Sequence, residues 1–244
     1  MTFLSEITAI QNIIYIFSSI LFITGIKMLG KEDTAVKGNF FSALAMFIAV
    51  SITLIDVVNP IVLLSGIALG ALIGSFIALK VKMTSIPEMV ALFNGFGGLA
   101  TFLIAWSEFN SIPDNLFQHV LVMTTLYIGG VTFTGSLVAY AKLSEKIKIA
   151  KTSIITKIFT TIFYISLPFL LYSTFVTPFI VTSFEFFTVL LVLTLLGGIG
   201  FVLPIGGGDM PVVISLLNSF SGIAAAFAGL LLLNNVLIVA GFLV

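Results

Sequence analysis

Two asparagines 124 residues apart, Asn94 and Asn218, are the residues best placed in this chain to do chemistry. Each lies seven residues after a proline, Pro87 or Pro211, in a strongly apolar run, and small residues follow both. An amide donates and accepts hydrogen bonds but does not carry a proton's charge. Together with Ser215, Ser219 and Ser221, such groups can line a hydrated path, hold a small polar solute, or simply bond one helix to another. Thr132, Thr134 and Ser136 offer the same options in a different segment. None of them is a tuned acid, base or nucleophile, so no catalytic residue is predicted.

The ionisable groups keep to segment ends. Glu88, Lys157, Glu185 and His119 each lie near one edge of an apolar stretch, which avoids the expense of a charge at mid-bilayer. His119, the only histidine, is expected at the outer interface, where an imidazole needs no special role. Glu88 and Asp209 begin the two asparagine segments and suit the positive end of a helix. Gly206, Gly207 and Gly208 precede Asp209, and glycine permits backbone conformations that other residues avoid, as a hinge or docking surface would need. No strand precedes these glycines, so they are not a phosphate-binding fingerprint. Cysteine is absent, which excludes a thiolate metal site, and no other metal site is predicted.

The elements that must position these groups are apolar helices. With 59% hydrophobic and 8% charged residues and a mean hydropathy of +1.27, the chain lacks the polar surface of a soluble globule. A bilayer core of about 30 Å takes about 20 apolar residues per helix. That ruler marks spans near 9–29, 38–55, 60–79, 87–106, 118–141, 154–172, 183–204 and 210–231. A ninth begins after Asn234-Asn235 and reaches Val244 in roughly half a crossing, as if the chain stopped inside a helix. Net charge is zero and no basic tract suggests a nucleic-acid partner; the partner in view is the lipid bilayer.

Lysine supplies all ten basic residues, and they group after the first, third and fifth spans. The loops around Asp56 to Asn59, Glu108 to Asn115 and Ser173 to Thr182 carry none, so the N-terminus is expected outside and the lysine loops in the cytoplasm.

The two asparagine segments are copies of one template. Ile86 to Ala100 lies over Met210 to Ala224 with Pro, Leu, Asn, Phe, Gly and Ala at equal offsets. Three crossings, an odd number, lie between them, so both run in the same direction, which makes this a parallel repeat, and paired segments of this kind are where transporters build sites. Each asparagine is about 10 Å into its helix from the proline. Gly66, Gly70 and Gly74 form a small-residue stripe of the packing type, extended by Gly95, Gly97, Gly98, Gly222, Ala226 and Gly229. The predicted fold is all-α, a polytopic transmembrane helix bundle of about eight complete spans plus a partial ninth.

These segments resemble the membrane part of the beta subunit of proton-translocating nicotinamide nucleotide transhydrogenase over nearly the whole chain. The resemblance is carried by Lys82-Met83-Thr84 with Pro87-Glu88-x-Val90-Ala91, by Val131 to Ser136, and by Gly206 to Gly229 with Asn234. That family couples hydride transfer between NAD(H) and NADP(H) to proton movement across a membrane. The resemblance implies a proton channel that includes Asn218, with Asn94 at the position where many members carry a histidine; some members place that histidine on the partner subunit. It implies that Asp209 lies at the cytoplasmic end, near the NADP(H)-binding domain. It also implies an alpha subunit or alpha-like region, dimeric assembly, and a bacterial inner membrane.

On this reading residues 1–244 are one transmembrane proton-channel domain, and the soluble NADP(H)-binding domain that follows in the family is absent from this chain. No cofactor is expected on these residues; NAD(H) and NADP(H) would bind other domains of the complex. The sequence leaves two alternatives open: an autonomous small-solute or ion transporter built on the paired helices, or an inactive truncated fragment.

Overall fold

The computed structural model describes residues 2–56, 60–109, 116–147, 153–175 and 184–244. Residues 57–59, 110–115 and 176–182, with Lys148 and Lys151, carry part of the orientation reading and lie outside the described residues. The helices are α1 (Thr2–Leu29), α2 (Ala35–Thr53), α3 (Pro60–Lys80), α4 (Ile86–Phe109), α5 (Leu116–Leu143), α6 (Ile154–Phe175), α7 (Phe184–Val202), α8 (Met210–Leu231) and α9 (Asn235–Leu243). The described residues contain no strand. Seven of the helices are long and apolar enough to cross a bilayer, and α7 supplies a shorter apolar stretch, Phe187–Val202. The chain is an all-α polytopic membrane bundle, and it divides into two compact units at Val81.

In the first unit α1 and α2 form an antiparallel hairpin. Lipid is as apolar as leucine, so helices in a membrane associate through close backbone approach and hydrogen bonds. Both are present here. A Cβ added to Gly38 would lie 2.7 Å from the Gly25 carbonyl, and Ser18 Oγ donates to the Ala45 carbonyl at 2.5 Å. Thr34 closes the turn by donating to the Met28 carbonyl at 2.7 Å. Among the described residues the stripe expected to pack α3 meets no partner: the space beside Gly66, Gly70 and Gly74 is open, and no residue of α3 is buried.

In the second unit α5 is the axis, enclosed along most of its length. It runs antiparallel to α4, with Gly95 beside Ser136 and Gly98 beside Gly129 and Thr132. On its other sides Gly130 meets Thr194 of α7, and Gly135 meets Gly198 and Val202 of α7 and Leu217 of α8. Each glycine on this seam removes the side chain that would hold two backbones apart: the central helix carries three, at 129, 130 and 135, and Gly98 of α4 faces them. Tyr127 of α5 and Ser166 of α6 share a buried hydrogen bond of 2.9 Å.

After α8 the chain turns back through Leu233, at φ 53°, and Asn234 caps α9 by accepting from the Leu237 N–H at 3.0 Å. The asparagine pair that marked the ninth segment in the sequence thus works as a helix start. Gly222 and Gly229 of α8 pack against Gly241 and Ile238 of α9, so α8 and α9 are antiparallel neighbours.

Candidate functional site

Two apolar clusters occupy the second unit. One gathers Phe102, Val122, Met123, Leu126 and Leu190, closed by a stack of Phe109 on Phe187 at 3.7 Å; the other gathers Ala91, Ala139, Val202, Met210, Val213 and Leu217. Along α4 and α5 the sequence passes from one cluster to the other across a short polar level, and Asn94 and Ser136 stand on it.

Asn94 is half-buried and makes two side-chain hydrogen bonds there. Its Nδ2 donates to Ser136 Oγ of α5 at 3.0 Å, and its Oδ1 accepts from Ser221 Oγ of α8 at 2.8 Å. Both ends of the amide are therefore used, one on each neighbouring helix. Ser136 is fully buried and Ser221 half-buried. The site is a three-helix knot of neutral donors and acceptors between apolar layers. Such a knot can orient a water or pass a hydrogen bond along; it holds no group that stores a proton.

The other residues singled out in the sequence fall elsewhere. Ser215, Asn218 and Ser219 are exposed along α8, and Ser219 donates to the Ser215 carbonyl of its own helix at 3.2 Å. The template explains the division. Asn94 is equivalent to Asn218, and Ser221 is equivalent to Gly97, three residues on in each copy. The mirror image of the Asn94–Ser221 bond would join Asn218 to Gly97, which has no side chain and faces open space. α4 and α8 are each antiparallel to α5, so the two copies run in the same direction.

Glu88 lies in the first turn of α4, half-buried, and Asp209 is the exposed residue before α8, making no capping bond through its side chain. Gly207, Gly208 and Asp209 form a single 3-10 turn. The freedom of glycine that the sequence suggested is not used: Gly206 sits at φ −71°, no described glycine has positive φ, and added Cβ atoms at Gly207 and Gly208 would meet open space. An ordinary residue fits the backbone of this turn, so what sets the glycines apart is their bare, exposed surface.

His119 also differs from expectation. It is 5% exposed although Leu116 and Phe117 in the same first turn of α5 are exposed, so the imidazole lies on the one side of that turn that is covered. In the sequence Lys142 is one of the ten lysines that set the orientation; in the fold it does more. Its Nζ donates to the carbonyls of Leu203 at 2.5 Å, Ile205 at 2.6 Å and Val202 at 3.4 Å. Its signal was position: it abuts the apolar run of α5, six residues after Ser136.

A family model described as NAD(P) transhydrogenase beta subunit matches residues 11–244. The chain belongs to that family. The NAD(P) transhydrogenase subunit beta of Rhodospirillum rubrum is 35% identical over 244 positions, taking in 94% of this chain and 51% of the relative. A designated strain of the same organism has a subunit beta with the same figures. The chain thus spans about half the length of the curated beta subunits it matches. As a transhydrogenase beta-subunit sequence folded into apolar helices, it is an integral membrane protein.

Proposed function

We propose that this chain is the proton-conducting membrane sector of a transhydrogenase that couples hydride transfer between NAD(H) and NADP(H) to proton movement. The observation that carries the proposal is the Ser136–Asn94–Ser221 knot, a polar level between two apolar clusters in a chain of the beta-subunit family. The apolar layers bar the free passage of ions, and the knot ties α4 to α5 and α8 to α4 at the polar level between them. Breaking or making those two bonds is a discrete change of helix packing that can switch access between sides.

The Gly206–Gly208 run lies between α7 and α8 with no strand before it, so it lacks the setting of a dinucleotide fingerprint. NAD(H) and NADP(H) belong, in this proposal, to other domains of the complex: an alpha subunit and the NADP(H)-binding domain of the beta subunit, in a dimeric assembly. Residues 1–244 act as the transmembrane proton-channel domain, in a bacterial inner membrane, with the N-terminus outside and the lysine loops in the cytoplasm. Asp209 and Gly206 to Gly208, exposed or half-exposed at the start of α8, with Glu88 at the start of α4, are then the cytoplasmic gate. Asn218, Ser215 and Ser219 would complete the channel against a helix of the partner subunit, because uncovered polar groups at membrane depth are costly.

Proteoliposomes test this. The full-length beta subunit with its alpha partner should move protons only when both nucleotides are supplied. Nucleotide-independent permeation of protons or a small solute through the chain alone would overturn the proposal in favour of an autonomous transporter.

A further inference from the structure

Three backbone carbonyls converge on Lys142. Two of them, from Leu203 and Ile205, are within 2.6 Å of Nζ, and the third, from Val202, is at 3.4 Å. An ammonium has three N–H donors, and the last carbonyls of a helix have no partners within it, so a lysine beside a helix C-terminus satisfies both needs. The favourable sign of the charge at that end adds to the hold. The carbonyls belong to the end of α7 and the first linker residues, directly before Gly206. Beyond the exposed Gly207–Asp209 turn the chain is fixed again, because Met210 is fully buried in the cluster with Ala139 and Val202. Three exposed residues are held between two clamps.

From those clamps two rigid routes lead to one residue. Lys142 stands on α5 about 9 Å along the axis from Ser136, and Ser136 accepts from Asn94. Met210 begins α8, which carries Ser221, and Ser221 donates to the same Asn94. Turn, Lys142, α5, Ser136, Asn94, Ser221 and α8 close a ring of direct contacts.

We propose that Lys142 is a positioning residue that transmits displacement of the Gly207–Asp209 turn to the Asn94 knot through α5, so that force applied at the turn acts on both hydrogen bonds of Asn94 together. Without it the turn reaches α5 only through the apolar packing of Met210 beside Ala139, and the polar hold of α5 on the linker before the turn is lost. The inference rests on the proposed proton-conducting role and adds to it the residue that ties the turn to the channel.

The test measures protons moved per hydride transferred by the full-length beta subunit with its alpha partner in proteoliposomes. This ratio does not depend on how much protein is folded. Lys142→Met, which removes every donor, should lower the ratio at least about twofold, the scale on which residues along a coupling network act. Lys142→Arg, which keeps charge and donors, should restore it. Lys142→Gln, with two donors and no charge, should fall between and serves if Lys142→Met does not assemble. An unchanged ratio in Lys142→Met or Lys142→Gln, with both rates falling in step, would reduce Lys142 to a structural fastener and overturn the inference. A wild-type complex that moves no protons would instead overturn the functional proposal, and this inference with it.

Discussion

Ser221 reaches across 127 residues of sequence to donate to the Oδ1 of Asn94 at 2.8 Å, and so joins the two copies of the repeat off their matching positions. The copies would align Asn94 with Asn218, but in space Asn94 meets the residue one turn further along α8. The consequence is asymmetry. One amide is tied at both ends inside the bundle while its equivalent is exposed on the helix surface. A parallel repeat has become one site with one free polar face.

Removing the Ser221 hydroxyl should leave the Asn94 oxygen without its partner. A half-buried acceptor that loses its donor costs about 1–3 kcal/mol, so Ser221→Ala should slow nucleotide-driven proton uptake by about tenfold in the full-length complex. Uptake in proteoliposomes checks it, and unchanged uptake would show that the bond is incidental to conduction.

Asn218 should behave in the opposite way with respect to stability. Because it is exposed, Asn218→Leu should change the thermal stability of this chain alone by no more than about 0.5 kcal/mol. In the assembled complex the same change should lower coupled turnover, since the face it occupies is completed there. A large loss of stability in the isolated chain would contradict the placement.

The glycines divide into two groups that melting curves in detergent can separate. A Cβ at Gly98 would lie 2.8 Å from the Phe133 nitrogen and 2.9 Å from the Gly129 carbonyl, contacts that backbone cannot relieve without moving. Gly98→Ala should cost about 1–3 kcal/mol through overpacking. Gly208→Ala, with open space around it and an ordinary φ, should leave stability unchanged.

Thr132 is fully buried on α5, and its hydroxyl has no hydrogen-bond partner among the described residues. Valine has the same shape without the polar atom. Thr132→Val should therefore stabilise the chain by about 1 kcal/mol, the lower end of what an unmade buried bond costs. Thermal unfolding would show it, and a destabilised variant would mean that the hydroxyl has a partner in solution.

Apolar length and flanking charge made the helices legible: the spans read near 87–106 and 118–141 are helices over Ile86–Phe109 and Leu116–Leu143. The short apolar part of α7 was harder to weigh by length alone. Residue type and spacing in the sequence single out Asn94 and Ser221 as channel candidates, and type alone singles out Ser136. That they meet was not legible, because the axial stagger of α8 against α4 is set by how each packs on α5, through contacts such as Gly135 with Leu217 that no local pattern announces. A sequence shows how far His119 lies from a segment end and not which helix is central, so its burial against protein was not legible. Lys142 was hidden for a related reason. Its acceptors are backbone carbonyls, which every sequence has everywhere, so only the fold reveals that three of them converge.

The central claim is that the Asn94 knot is the conducting level, and substitution of Asn94 itself tests it most directly. The measurement is nucleotide-driven proton uptake by proteoliposomes carrying the full-length beta subunit and its alpha partner, with Asn94 or with Asn94→Leu, alongside the rate of hydride transfer. Proton uptake and coupled hydride transfer falling together in Asn94→Leu is the predicted result. Uptake that persists at the wild-type rate, with a leucine where the amide joined α5 and α8, would place the proton path elsewhere and contradict the account.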